Sequence, residues 1–148
     1  MIQITEDMRK ILSKTVVLEY KDDYSIVSID PEQTEKARSL LRDLKPYFSV
    51  TFTVDETSVV LRSSDWMMLK KNFHGYKEEG PYRLITFDII LDLSIVGFLS
   101  VVSTALAESG VSIYALSTYL KDHILVKKQD TAVAIQVLKK LVTEEQVS

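Results

Sequence analysis

Only a few residues in this chain have the types and spacing that could do chemistry. Asp88 and Asp92 lie four apart at the end of a strand-like run. Strand parity would place both on one face, as paired acid–base carboxylates require. Asp92 also reads as the turn into a helix, which breaks that parity. The two histidines, His74 and His123, stand in a polar linker and at a strand start. Neither has a second histidine at metal-ligand spacing. The absence of cysteine removes thiolate metal sites, disulfides and a cysteine nucleophile. Four glycines in all form no phosphate-binding loop. These residues assign no catalytic group, no metal site and no cofactor, and the chain reads as non-enzymatic.

One other stretch could hold a small ligand, and one turn is either ordinary or carries something. LDLSIVGFL (91–99) joins a strand to a helix. The amides around Ser94 to Gly97 would point outward, where the helix dipole favours an anion. Gly97 would let a ligand or a neighbouring backbone approach closely. Ser94 could cap the helix or bond a ligand. A plain helix cap and a close helix–sheet contact account for the same residues. STYLKDHILVK (117–127) brings hydroxyls and an aspartate to a hairpin turn. Within it Lys121 reads as solvated.

The elements that position these stretches follow from periodicity. Thr5 caps a short helix through Met8 and Leu12. TVVLEY (15–20) and YSIVSI (24–29) read as strands. Asp30, Pro31 and Gln33 form an N-cap and capping-box spacing ahead of Ala37, Leu40, Leu41 and Leu44, and Pro46 ends that helix. Phe48, Val50, Phe52 and Val54 alternate with polar residues, and SVVLR (58–62) returns. Residues 65–73 are ambiguous, with Asp65 a possible cap. Residues 74–81 read as a polar linker with Gly75, Gly80 and Pro81. A long strand over 82–91 follows, then a helix with an apolar stripe through Ile95, Phe98, Leu99, Val102, Ala105 and Leu106. Gly110 closes that helix. Strands at 111–119 and 123–127 precede a last helix, capped by Asp130 and buried through Ala134, Val137, Leu138 and Leu141.

The two halves repeat this order at an offset of about 65 residues. Val60-Leu61-Arg62 aligns with Leu125-Val126-Lys127, and Asp65 with Asp130. The expected class is α+β: two ferredoxin-like βαββαβ-type units, 14–76 and 81–148, with antiparallel sheets and helices on one face. The second unit lacks its last strand. TVVLEY could supply it, within the chain or across a dimer.

The 148 residues carry a formal net charge of −3. Nucleic-acid binders of this plan show a basic face and a basic–aromatic strand signature; neither is visible. The longest uncharged run, Leu93 to Ala107, is shorter than the ~18–20 residues of a membrane span. Charged residues interrupt the amino terminus where a signal peptide would need an apolar run. A cytoplasmic protein with no nucleic-acid or membrane partner is expected.

DLSIVGFLSVVSTALAESGVSIYALSTY and DHILVKKQD resemble an ACT domain, the small regulatory module that binds amino acids. YFSVTFTVDETSVVL (47–61) resembles a first, degenerate ACT unit. The pattern is similar to a tandem subfamily of small stand-alone prokaryotic ACT proteins and the cytosolic arginine sensors of the TOR pathway. Val96 stands where many ACT domains have proline before the loop glycine. The resemblance implies a ligand site at Asp92, Ser94, Ile95, Val96, Gly97, Thr118 and Asp122. Loop amides would hold an α-carboxylate, and Asp92 or Asp122 a cation. It also implies a homodimer and a regulated protein partner. The rival expectation is an ACT-like interaction module without a ligand. A working site would keep Asp92 and Asp122 accessible in one cleft; a dead one would fill it with Phe98, Tyr114 or Tyr119.

Overall fold

The computed structural model describes residues 4–44 and 49–147. Pro46 as a helix stop and Phe48 at a strand start fall outside the described residues. In chain order the elements are α1 (Glu6–Lys14), β1 (Val16–Glu19), β2 (Tyr24–Ile29), α2 (Thr34–Leu41), β3 (Ser49–Phe52), β4 (Thr57–Arg62), α3 (Ser63–Leu69), β5 (Lys77–Asp88), α4 (Phe98–Glu108), β6 (Ile113–Ser117), β7 (Asp122–Lys127) and α5 (Thr131–Val147). They form an α+β protein with antiparallel strand pairing. Two compact units divide the chain, one of residues 22–82 and one of residues 1–21 with 83–148.

The 22–82 unit has strand order β3-β4-β2-β5 and the complete βαββαβ plan. Val27, Ile29, Ala37, Leu41, Val59, Leu61, Trp66 and Phe73 form its core. The Trp66 ring meets Phe73 at 5.9 Å and Tyr76 edge-on at 5.1 Å. Its indole N–H donates to the Glu78 carboxylate, which Lys70 also approaches at 3.4 Å.

Several local readings change here. The expected linker is a strand from Lys77 onward. Its pairing with β2 slips between Tyr24 and Ile26, opposite Gly80 and Pro81. A bulge is where a sheet accepts proline, because no ladder N–H is needed there. Asp30 and Asp65 make no side-chain cap. Asp65 instead accepts from Arg62 Nε at 3.0 Å, and Gln33 bonds the backbone of His74. Asp130 lies in a 3-10 turn, one residue ahead of α5.

The other unit has strand order β1-β5-β7-β6. Here β1 occupies the place that the βαββαβ plan gives to its last strand. It pairs antiparallel with β5, from Val16 opposite Asp88 to Glu19 opposite Ile85. Residues 14–21, expected in the first unit, belong with the second. Local signals start α1: Thr5 Oγ1 accepts from the Met8 amide at 3.1 Å, and Glu6 and Asp7 favour the helix dipole. Met8 and Leu12 then enter one core with Ile85, Phe87, Phe98, Val102, Leu106, Ile124 and Leu138. Phe87 and Phe98 meet edge-on at 5.4 Å. The repeat is exact in register at the hairpins: Ser49 faces Val60, and Tyr114 faces Leu125, each 65 positions on.

Leu12 is fully buried and Val16 is half exposed. Leu12→Ala should therefore cost about 2–5 kcal/mol in denaturant unfolding. Val16→Ala should stay within about 0.5 kcal/mol.

Candidate functional site

The loop between β5 and α4 is shaped by Asp92 and Gly97. Asp92 Oδ1 accepts from the Ser94 amide at 2.8 Å and the Ser94 hydroxyl at 2.6 Å. This short-range turn is one that aspartate side chains favour. The two bonds hold the Asp92 carboxyl below its usual range, the hydroxyl contributing most. Gly97 is the N-cap of α4 at φ 96°, a left-handed conformation that suits glycine. A Cβ at Gly97 would meet no atom within 4 Å, so its backbone angle, not crowding, calls for glycine. Ser94 is not the cap. No side chain caps α4, and its first-turn amides keep their donor capacity.

The hairpin turn is ordered by Thr118. Its amide and hydroxyl both donate to the Lys121 carbonyl at 2.9 Å, and its hydroxyl accepts from the Lys121 amide at 3.3 Å. At the turn's base Ser117 Oγ donates to Asp122 Oδ1 at 2.7 Å. Lys121 Nζ donates to Asp88 Oδ1 at 2.7 Å. Lys121 is thus ion-paired, and Asp88 is part of that pair with Lys121 and not of an acid–base pair with Asp92.

Beneath the turn lies His123, 8% exposed. Its Nε2 sits 3.3 Å from Thr118 Oγ1 and its Nδ1 2.8 Å from Thr86 Oγ1. The Thr118 proton is directed at the Lys121 carbonyl. Ring Nε2 is then the donor to Thr118, and Nδ1 accepts from Thr86. Burial pushes this ring below the usual histidine range; neighbouring Asp122 opposes that shift and Lys121 adds to it.

The two walls meet in one cleft of about 360 Å³. Residues 91–93, 95 and 97–100 line one side and 117–122 the other. The Leu91 amide donates to the Leu120 carbonyl at 3.2 Å and ties the walls together. Of the expected residues, Asp92, Ile95, Gly97, Thr118 and Asp122 line this space; Ser94 and Val96 do not. Val96 points to solvent at 88% exposure. Ile95 belongs to the cleft and not to the stripe of α4, which starts three residues later. Phe98 turns into the core, Tyr119 is 77% exposed, and neither closes the cleft.

Sequence reasoning missed the roles of Lys121 and His123 and the apolar residues Leu91, Leu93, Leu99 and Leu120. The pairs Lys121–Asp88 and His123–Thr86 join positions 33 and 37 residues apart, and no local pattern announces them. Among the described residues there is no cluster of His, Cys, Asp or Glu suited to a metal ion. No described helix is long and apolar enough to cross a membrane.

Residues 78–140 match the model of the ACT domain family. Both walls of the cleft fall inside that segment. The fold is similar to that of a Vibrio cholerae protein of unknown function, described as a possible transport protein (TM-score 0.73, 21% identity, 93% of this chain and 97% of that one). It is also similar to a protein from Agrobacterium tumefaciens (TM-score 0.68, 20% identity, 85% and 87%). A third likeness is to the regulatory subunit of aspartate kinase from Thermus thermophilus, in its ligand-free form (TM-score 0.63, 12% identity, 85% and 97%). At these identities the likeness is one of fold. Comparison with curated protein sequences finds no match.

The lowered His123 value has a consequence for stability. Below an unfolded value of about 6.5 the unfolded chain binds a proton that the folded chain refuses, so stability falls as pH drops from there toward the folded value. Denaturant titrations at pH 7.5 and 5.5 should show lower stability at pH 5.5. The difference should shrink in His123→Gln, which removes the titrating group.

Proposed function

We propose that this chain is a tandem ACT-type regulatory protein. In this reading it has no catalytic activity and binds a free amino acid or a similar small metabolite in the cleft between the β5–α4 loop and the β6–β7 turn. The observation that carries it is the convergence of two complementary polar features on one cleft. The first turn of α4 has no side-chain cap, and the carboxylates of Asp92 and Asp122 stand in the same space. Helix amides suit an α-carboxylate and the carboxylates an ammonium. The ACT match over 78–140 supports a regulatory, ligand-binding role.

The finer reading places the chain beside the stand-alone prokaryotic ACT proteins and the cytosolic arginine sensors. The 22–82 unit is its degenerate first ACT unit. The protein works in the cytoplasm as a homodimer and passes its ligand state to a protein partner. The ligand acts by linkage, stabilising the arrangement it binds best.

A second reading is an interaction module without a ligand. Exposed Ile90, Leu93, Val96 and Tyr119 favour it, at 70%, 71%, 88% and 77% exposure. Such apolar groupings mark docking surfaces.

Thermal unfolding against the free amino acids separates the two. A ligand at 100 times its Kd adds about 2.7 kcal/mol of stability and raises the midpoint. Asp92→Asn keeps an acceptor for Ser94 but drops the charge, and should weaken the response. If none of the twenty amino acids moves the midpoint at millimolar concentration, the interaction module stands in place of the sensor.

A further inference from the structure

The cleft's own hydrogen bonding restricts which amino acid it can hold. Three charged side chains line it, Asp92, Lys121 and Asp122. Each already has a partner in the protein. Asp92 Oδ1 accepts two bonds from Ser94, Asp122 Oδ1 accepts from Ser117, and Lys121 is paired with Asp88. The Thr118 hydroxyl is occupied by the backbone of Lys121.

A guanidinium binds best as a fork on both oxygens of a carboxylate. At Asp92 both lone pairs of Oδ1 are engaged by Ser94, so Asp92 offers no such fork; at Asp122 a fork would have to share Oδ1 with Ser117 and take the second oxygen that the α-ammonium needs. A carboxylate in the ligand side chain would have to share the Lys121 ammonium with Asp88, in a cleft that already holds the like charges of Asp92 and Asp122. The second oxygens of Asp92 and Asp122 are enough for one α-ammonium, since a carboxylate oxygen accepts more than one bond. The polar part of the cleft thus matches the backbone groups common to every amino acid. A charged side chain would find only groups that are already shared with partners in the protein.

The rest of the lining is apolar. Leu91, Leu93, Ile95, Leu99, Tyr119 and Leu120 surround the space, and Leu93 and Leu120 expose 71% and 52% of their surface to water. Covering such surface is favourable in proportion to its area. At about 360 Å³ the cleft is near the lower end of the ~300–1,000 Å³ of small-molecule sites, a size for one amino acid.

The geometry points to an amino acid with an apolar side chain, aliphatic or aromatic, as the ligand of this cleft. Its side chain lies on the Leu93–Ile95–Leu120 surface, and its charged end lies between the α4 amides and the two aspartates. This rests on the amino-acid-binding reading above and adds the side-chain class.

The test is thermal unfolding of the full chain with leucine, isoleucine, valine, methionine and phenylalanine, set against arginine, lysine, aspartate and glutamate. Isothermal titration follows for any amino acid that raises the midpoint. At least one apolar amino acid should raise the midpoint, and the four charged ones should not. Leu120→Asn alters an exposed turn residue and should leave the ligand-free midpoint close to that of the parent chain. It should raise the Kd of the apolar ligand at least about tenfold, the loss expected when one buried leucine contact is removed. A shift from a charged amino acid alone overturns the side-chain class but keeps the site. A shift from none overturns the amino-acid reading itself. An unchanged Kd in Leu120→Asn, with an apolar ligand bound, overturns the assignment of that wall.

Discussion

Everything in the 1–21 and 83–148 unit depends on the backbone pairing of β1 with β5. Residues 85–88 carry peptide groups that must find partners, and among the described residues it is β1 that pairs with them along this edge. β1 enters from the other end of the chain and satisfies them in antiparallel register. The same move brings α1 onto the unit's core, where Met8 and Leu12 complete the apolar surface around Phe87 and Leu106. Without that edge, β5 would lack the support that sets where it ends. Its end sets where Asp88, the Asp92 turn and the start of α4 lie.

The cleft is assembled from local hydrogen-bonded turns set on this frame. Asp92 holds its own loop, Thr118 holds its own turn, and the Leu91–Leu120 bond joins them. His123 connects the turn to the sheet through Thr118 on one ring nitrogen and Thr86 on the other. The turn is therefore seated on a buried neutral ring, and charging that ring disturbs the seat. Polar groups that satisfy one another also define what they leave over. Here the remainder is an uncapped helix start, two second carboxylate oxygens and an apolar wall.

Much of the fold was legible because alternation and capping are local. The β3–β4 and β6–β7 hairpins could be aligned by phase alone, and the 65-residue offset reappears in their register. Thr5 as a cap and Gly110 past the end of α4 were readable for the same reason, with Gly110 at φ 75°. Composition misled where context outweighed it. Gly80 and Pro81 look like linker residues, yet they lie at a bulge. Asp65 has the type of a cap, but α3 already begins at Ser63, and the Asp65 carboxylate pairs with Arg62 instead.

The order of residues alone dictated the alternation of the strands, the stripes of the helices and the two short turns that each make a wall. These rest on interactions between residues a few positions apart. It could name Asp92, Gly97, Thr118 and Asp122, but it could not show that they share a space. That required β5 and β7 to lie side by side, and β1 to close the sheet from the far end of the chain. The Lys121–Asp88 pair and the His123–Thr86 bond arise from the same long-range packing. Contacts between distant positions leave no periodic trace in a single sequence, so the cleft and its apolar wall appear only once the chain is folded.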